Sequence, residues 1–301
     1  MKITHNTATH RSKHLLAATA VSAAALTALL AAGPADAHAI AGNRVFPATM
    51  AVDDPGVSDE FDFQYGHLTV PGDNGNQGVN TVQFEWDKRI TPNFGLSLGG
   101  AYVMQNNPTT NGFDNFSIGA KYQLYVNEAH EFMASVGVDA DLGGTGSAAI
   151  GETHSTISPT LYIGKGLGDL PDSLAYLRPI AVTAAIGPSL TTGAGQPNAF
   201  NTGFTVQYSL PYLQQHVRDI GLTQPFANMI PLVEVALSTS QGQTTGTVNP
   251  GVIWMGRYAQ VGIEAQIPIN RASGSGVGIL FQVHFFLDDM APHSLGKPLF
   301  Q

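Results

Sequence analysis

The chain has 301 residues, 43% of them hydrophobic and only 12% charged, against about 25% charged in soluble domains. It has no cysteine, which excludes a disulfide framework, thiolate catalysis and Cys-ligated metal. Lys2, Arg11, Lys13 and Asp36 precede residue 38; the remaining 10 basic and 21 acidic residues give a formal charge of −11, which argues against nucleic acid or an anionic surface as partner.

The N-terminus reads as an export signal over residues 1–37. Lys2, Arg11 and Lys13 give a positive start, Leu15 to Ala32 is apolar and Ala-rich, and Ala35-Asp36-Ala37 is an A-x-A cleavage site. An uncleaved anchor helix is the other reading, because the run has 18 residues, near spanning length. Residues 38–60 follow, with the acidic cluster Asp53, Asp54, Asp59 and Glu60. Carboxylate oxygens suit Ca²⁺, but the spacing is not that of an EF-hand loop. The segment is read as a solvated periplasmic tail or a partial plug, and no metal or cofactor is assigned.

From residue 61 to 288 a period of two recurs. In the clearest case Val277, Ile279, Phe281, Val283, Phe285 and Leu287 alternate with Gly278, Leu280, Gln282, His284, Phe286 and Asp288, so each set lines one face of a strand. Strands are expected near 61–68, 81–90, 94–104, 115–126, 132–142, 156–164, 177–190, 202–210, 230–238, 247–255, 258–269 and 276–287. Many alternating strands of about ten residues behind an export signal predict an all-β, transmembrane, antiparallel up-and-down β-barrel of about 12 strands. Ten or fourteen would also fit the length. Outer loops are expected over 70–80, 105–114, 143–154, 191–201 and 239–246, with a short one over 271–275. Short turns are expected at 91–93, 127–130 and 256–257. Two connections on the turn side are long, 165–176 and 211–229. Leu213, His216, Val217 and Ile220 fall at helical spacing, so the second predicts a short periplasmic helix, with a miscounted strand as the alternative. Residues 289–301 read as a periplasmic tail.

The apolar face should meet lipid and the polar face the lumen. The lumen face carries Asp62, Gln64, Gln83, Glu85, Asp87, Lys121, Gln123, Asp139, Asp141, Arg178, Gln207, Glu234, Gln260, Glu264, Gln266, Gln282 and His284. Glu85, Asp87, Lys121, Asp139, Arg178, Glu234, Glu264 and His284 are the expected pore-lining set. A packed interior whose charges pair is one reading; a narrow channel selecting by charge is the other. Trp86, Tyr102, Tyr122, Tyr125, Tyr162, Tyr208, Trp254 and Tyr258 suit interfacial girdles, although core aromatics would fit too. No H-E-x-x-H occurs, and no catalytic residue is assigned.

Val248-Asn249-Pro250-Gly251-Val252-Ile253-Trp254, Ile267-Pro268-Ile269-Asn270-Arg271, Phe285-Phe286-Leu287-Asp288-Asp289 and Leu295-Gly296-Lys297-Pro298-Leu299-Phe300 resemble the outer-membrane transporter family linked to the meta-pathway of phenol degradation. That family is loosely similar to long-chain fatty-acid channels. The resemblance implies an outer-membrane channel, not an enzyme, and carries over no binding residue. The expectation is a monomer in outer-membrane lipid, inserted by the barrel-assembly machinery and passing small, hydrophobic or aromatic solutes passively. A closed structural or surface-interaction barrel and a membrane-embedded hydrolase are the alternatives.

Overall fold

The computed structural model of the chain describes residues 39–72 and 74–300; the export signal expected over 1–37 lies outside them. Twelve of the described strands form one closed antiparallel barrel. They are β3 (Glu60–Gly72), β4 (Gly75–Thr91), β5 (Phe94–Gln105), β7 (Ser117–Asn127), β8 (Phe132–Asp141) and β9 (Thr156–Gly166). The second half adds β10 (Ile180–Thr191), β11 (Ala199–Tyr208), β12 (Met229–Ser240), β13 (Gln243–Met255), β14 (Ala259–Pro268) and β15 (Gly278–Phe286). Each pairs with its chain neighbours, and β15 closes on β3 with Val283 opposite Phe63. Closure leaves no unpaired edge, as hydrocarbon requires.

The period of two sets the radial order. Phe63, Leu98, Ile118, Val138, Leu161, Phe204, Val233, Ile263 and Phe281 point outward and are 37–47% exposed, a band that suits lipid. Among the described residues no helix is long and apolar enough to cross a membrane.

Two expected outer loops are instead mostly strand. β3 and β4 stay paired out to Gly72–Gly75, and β12 and β13 to Ser240–Gln243. The Thr, Asn, Gln and Gly residues there resemble loop, but paired strands beyond the bilayer keep their side chains hydrated. Gln241 and Gly242 have φ of 50° and 78°, the left-handed pair that tightens a two-residue hairpin. The 105–114 loop contains a short strand, β6 (Thr110–Phe113), on β5. At the opposite end, 211–229 holds a helix and no extra strand. α1 (Leu210–Tyr212) runs into a π-helical turn over Leu213–Val217, and the Ser209 side chain caps it by accepting from the Tyr212 N–H. α2 (Leu287–Met290) follows β15.

Residues 39–59 lie within the barrel and are no solvated tail. A hairpin of β1 (Ala39–Ala41) and β2 (Arg44–Phe46) leads into irregular chain. Ala41 and Phe46 are 0% exposed and pack with Met133 and Ala181; Met50 packs with Leu232 and Ile253. Glycines on the inner wall receive the segment's apolar side chains. A Cβ on Gly164, Gly203 or Gly262 would sit 3.0, 2.9 or 2.6 Å from atoms of Phe46, Val52 or Met50. Glycine inside these strands therefore marks close approach of another part of the chain.

Candidate functional site

The inner face of the barrel and the segment inside it together form the site. Glu85 and Asp87 on β4, Lys121 on β7, Asp139 on β8, Glu234 on β12, Glu264 on β14 and His284 on β15 all stand on the inward positions of their strands. The structure sorts them into different surroundings.

Glu85, Asp87, Lys121 and Asp139 face a cavity of about 220 Å³ between residues 48–58 and the β3–β9 wall. Glu85 remains exposed within it. The Lys121 ammonium donates to Asp53 at 2.6 Å and to the Asp54 carbonyl at 3.1 Å and lies 4.5 Å from the centre of the Tyr162 ring. Tyr162 is a correction to the expected girdle. It is 4% exposed and faces the lumen, with its hydroxyl 3.4 Å from Asp139. The alternation in β9 carried that signal, since Ile157 and Leu161 face outward and 162 has the opposite parity.

Glu234 is fully buried and accepts the backbone N–H groups of Met50, Ala51 and Val52 at 3.0, 2.8 and 3.0 Å, and the Thr205 hydroxyl at 3.2 Å. A carboxylate taking several N–H donors makes charge-assisted bonds. Gln260 donates to the Ala48 carbonyl, Gln207 to that of Val45 and Ser135 to that of Pro55. Glu264, beside Glu234 and Asn249, is 1% exposed. His284 lies between Glu60 at 2.9 Å and Asp62 at 3.2 Å, 3% exposed.

Arg178 is a second correction. Residues Asp172–Leu177 coil into a 3-10 helix, so β10 begins at Ile180 and Arg178 lies in the connection before it. Its guanidinium donates to Asp172 and to the Leu170 carbonyl, each at 2.7 Å. The cation anchoring that end is Arg44, fully buried. Arg44 donates to Glu131 at 3.1 Å, to the Pro179 carbonyl at 3.0 Å and to the Arg178 carbonyl, and stacks 3.9 Å from the Tyr212 ring centre. Tyr212 also donates to Glu131, at 2.7 Å. Glu131 holds φ at 46°, a left-handed backbone costing roughly 1–2 kcal/mol without glycine. Arg44, Asp53, Glu131 and Tyr212 escape a strand-by-strand reading because all lie outside the alternating strands.

The acidic cluster of the segment is dispersed among partners. Asp53 pairs with Lys121, and Asp59 pairs with Lys88 and with Arg89 at 2.9 Å. Among the described residues no three His, Cys, Asp or Glu side chains are placed to hold a metal ion.

A second cavity, of about 450 Å³, lies beyond Met50 and Ala51. Leu68, Val70, Val79 and Leu280 give it an apolar wall, with Gln64, His67, Gln83 and Gln266 among its polar lining.

No protein-family model matches the chain, and no curated protein does. Solved structures do match. The COG4313 outer membrane channel from Pseudomonas putida F1 aligns at 13% identity over 80% of this chain and 99% of its own, with a TM-score of 0.52. The KdgM porin (12% identity, 75% and 98% covered, TM-score 0.45) and the NanC porin (8%, 75% and 98%, 0.47) also align. At these identities the likeness shows the fold alone, an outer-membrane-type β-barrel.

Proposed function

We propose that this protein is an outer-membrane channel for passive passage of small apolar or aromatic solutes, narrowed by its own N-terminal segment. The observation that carries the reading is the pair of cavities inside the barrel, one with an apolar wall and one acidic. No covalent chemistry is needed; passage is selected by pore width and luminal charge. The apolar chamber suits a hydrophobic solute body. Below it, Asp62, Glu85, Asp87 and Asp139 stand against Lys121, a balance that disfavours anions. The resemblance to the transporter family linked to phenol degradation supports the same solute class. On this reading the barrel acts as a monomer in outer-membrane lipid and meets the barrel-assembly machinery on insertion.

The test is conductance of the refolded chain, lacking residues 1–37, in a planar bilayer under a salt gradient. Discrete steps with a cation-preferring reversal potential are expected, and Glu85→Gln with Asp87→Asn should move that potential toward zero. A folded barrel that never conducts would favour the closed structural reading, for which the many bonds between segment and wall speak.

A further inference from the structure

We infer that solute passes beside the N-terminal segment rather than by expelling it, through a constriction where Gln64 and Gln83 of the wall face Met50 and Ala51 of the segment. The inference rests on the channel reading above and specifies its route.

Two independent observations carry it. The cavities abut, because both are lined by Met50, Ala51, Gln64 and Gln83. The segment is also bound unevenly. On the far wall Thr205, Gln207, Glu234, Asn249 and Gln260 face inward and are at most 2% exposed. On β4, Gln83 and Glu85 also face inward yet stay exposed. The segment therefore seals against β11–β14 and leaves the β4 side wet.

The chemistry of the constriction suits a gate. Gln83 donates to Gln64 at 2.9 Å across the β3–β4 pair. Two neutral amides can part by rotamer changes and re-pair with water, with no charge left bare. Met50 opposite is an unbranched, adaptable thioether. The gap can widen by side-chain motion alone while the backbone of residues 50–52 stays on Glu234. An uncharged gate between an apolar chamber and an acidic vestibule selects neutral or cationic solutes with an apolar body.

A covalent staple tests this. The chain has no cysteine, and a Cβ on Gly203 would lie 3.5 Å from the Val52 Cβ, within the range a disulfide spans. The double variant Val52→Cys, Gly203→Cys, oxidised and verified by mass, should conduct within about twofold of the wild type. Loss of conductance that a reductant restores would overturn the inference. Independently, Gln64→Ala with Gln83→Ala should raise unit conductance severalfold, and Gln83→Trp should lower it severalfold. Both unchanged in a folded barrel would also overturn it. A wild-type barrel that never conducts overturns the channel reading itself, an outcome distinct from a conducting wild type silenced by the staple.

Discussion

Replacing Glu234 by Ala should loosen the segment without unfolding the barrel. The carboxylate is the acceptor for three consecutive backbone N–H groups, and Ala offers none of them a partner. An orphaned buried donor costs about 1–3 kcal/mol. The lower end applies here, because Met50 and Ala51 border both cavities and water there can hydrate part of what is lost. Three donors at about 1 kcal/mol each give a loosening of about 3 kcal/mol. At about 1.4 kcal/mol per tenfold, the population with residues 48–54 released from the wall rises about a hundredfold. Arg44 still ties down the hairpin, so the change is confined to the middle of the segment. In single-channel recordings, rare wide openings should become about a hundred times more frequent, above an unchanged narrow level. Limited proteolysis should cut faster between residues 47 and 58. A variant with wild-type opening frequency and wild-type protection would refute the account of Glu234 as the latch.

Arg44→Met leaves Glu131 as a buried charge that has lost its guanidinium, which typically costs 3–5 kcal/mol; urea unfolding should show that loss, and adding Glu131→Gln should recover part of it. Glu264 is sealed behind the segment at 1% exposure, so Glu264→Gln should leave the reversal potential unchanged; a shift of more than a few millivolts would mean that ions reach it. The tail behind β15 should respond to pH. Burial pushes the Asp288 carboxyl up to about 8, with Arg89 at 2.7 Å offsetting part of that and neighbouring Asp59 adding to it. Asp59 is itself held below the usual carboxylate range, because hydrogen bonds from Lys88 and Arg89 outweigh its burial. The folded state therefore keeps a proton on Asp288 that the unfolded chain sheds near pH 4. This contribution is full below about pH 4, falls as pH rises and is gone above about 8. Carboxypeptidase trimming of residues 291–300 should accelerate across that window, and Asp288→Asn should flatten the dependence. The Asp59 contribution runs the other way, present above about pH 4 and lost only in acid.

The barrel was legible because one physical rule governs it throughout. A strand between lipid and lumen must alternate, and Phe204, Val206 and Tyr208 against Thr205 and Gln207 show the rule in a single segment. Strand ends were less legible, since Thr239 and Thr244 resemble loop residues until their pairing across the hairpin is seen. The interior was legible in direction but not in purpose. Parity turns Glu234 inward; nothing in β12 says that its oxygens meet the backbone of residues 50–52. Residues 39–59 lack periodicity because they are held by other strands' side chains and form no sheet with the barrel. Arg178 departs for a local reason: Leu177 looks like a strand start, but Asp172–Leu177 coil into a 3-10 helix.

Small inward positions show where the segment touches the wall. On β9, β11 and β14, Gly164, Gly203 and Gly262 make room for Phe46, Val52 and Met50, so there the missing side chains are replaced by the segment. On β5 and β7, Gly99 and Gly119 are also inward, but a Cβ at either would meet wall atoms: Ser117 at 2.5 Å, or Ser97 and Asp139 closer still. Nothing from the segment fills those positions. Gly95, also inward on β5, does receive the segment: a Cβ there would lie 3.1 Å from Val57, beside the acidic cavity. Glycines thus receive the segment on both sides of the lumen, and the wet stretch is the inner face of β4, where Gln83 and Glu85 stay exposed.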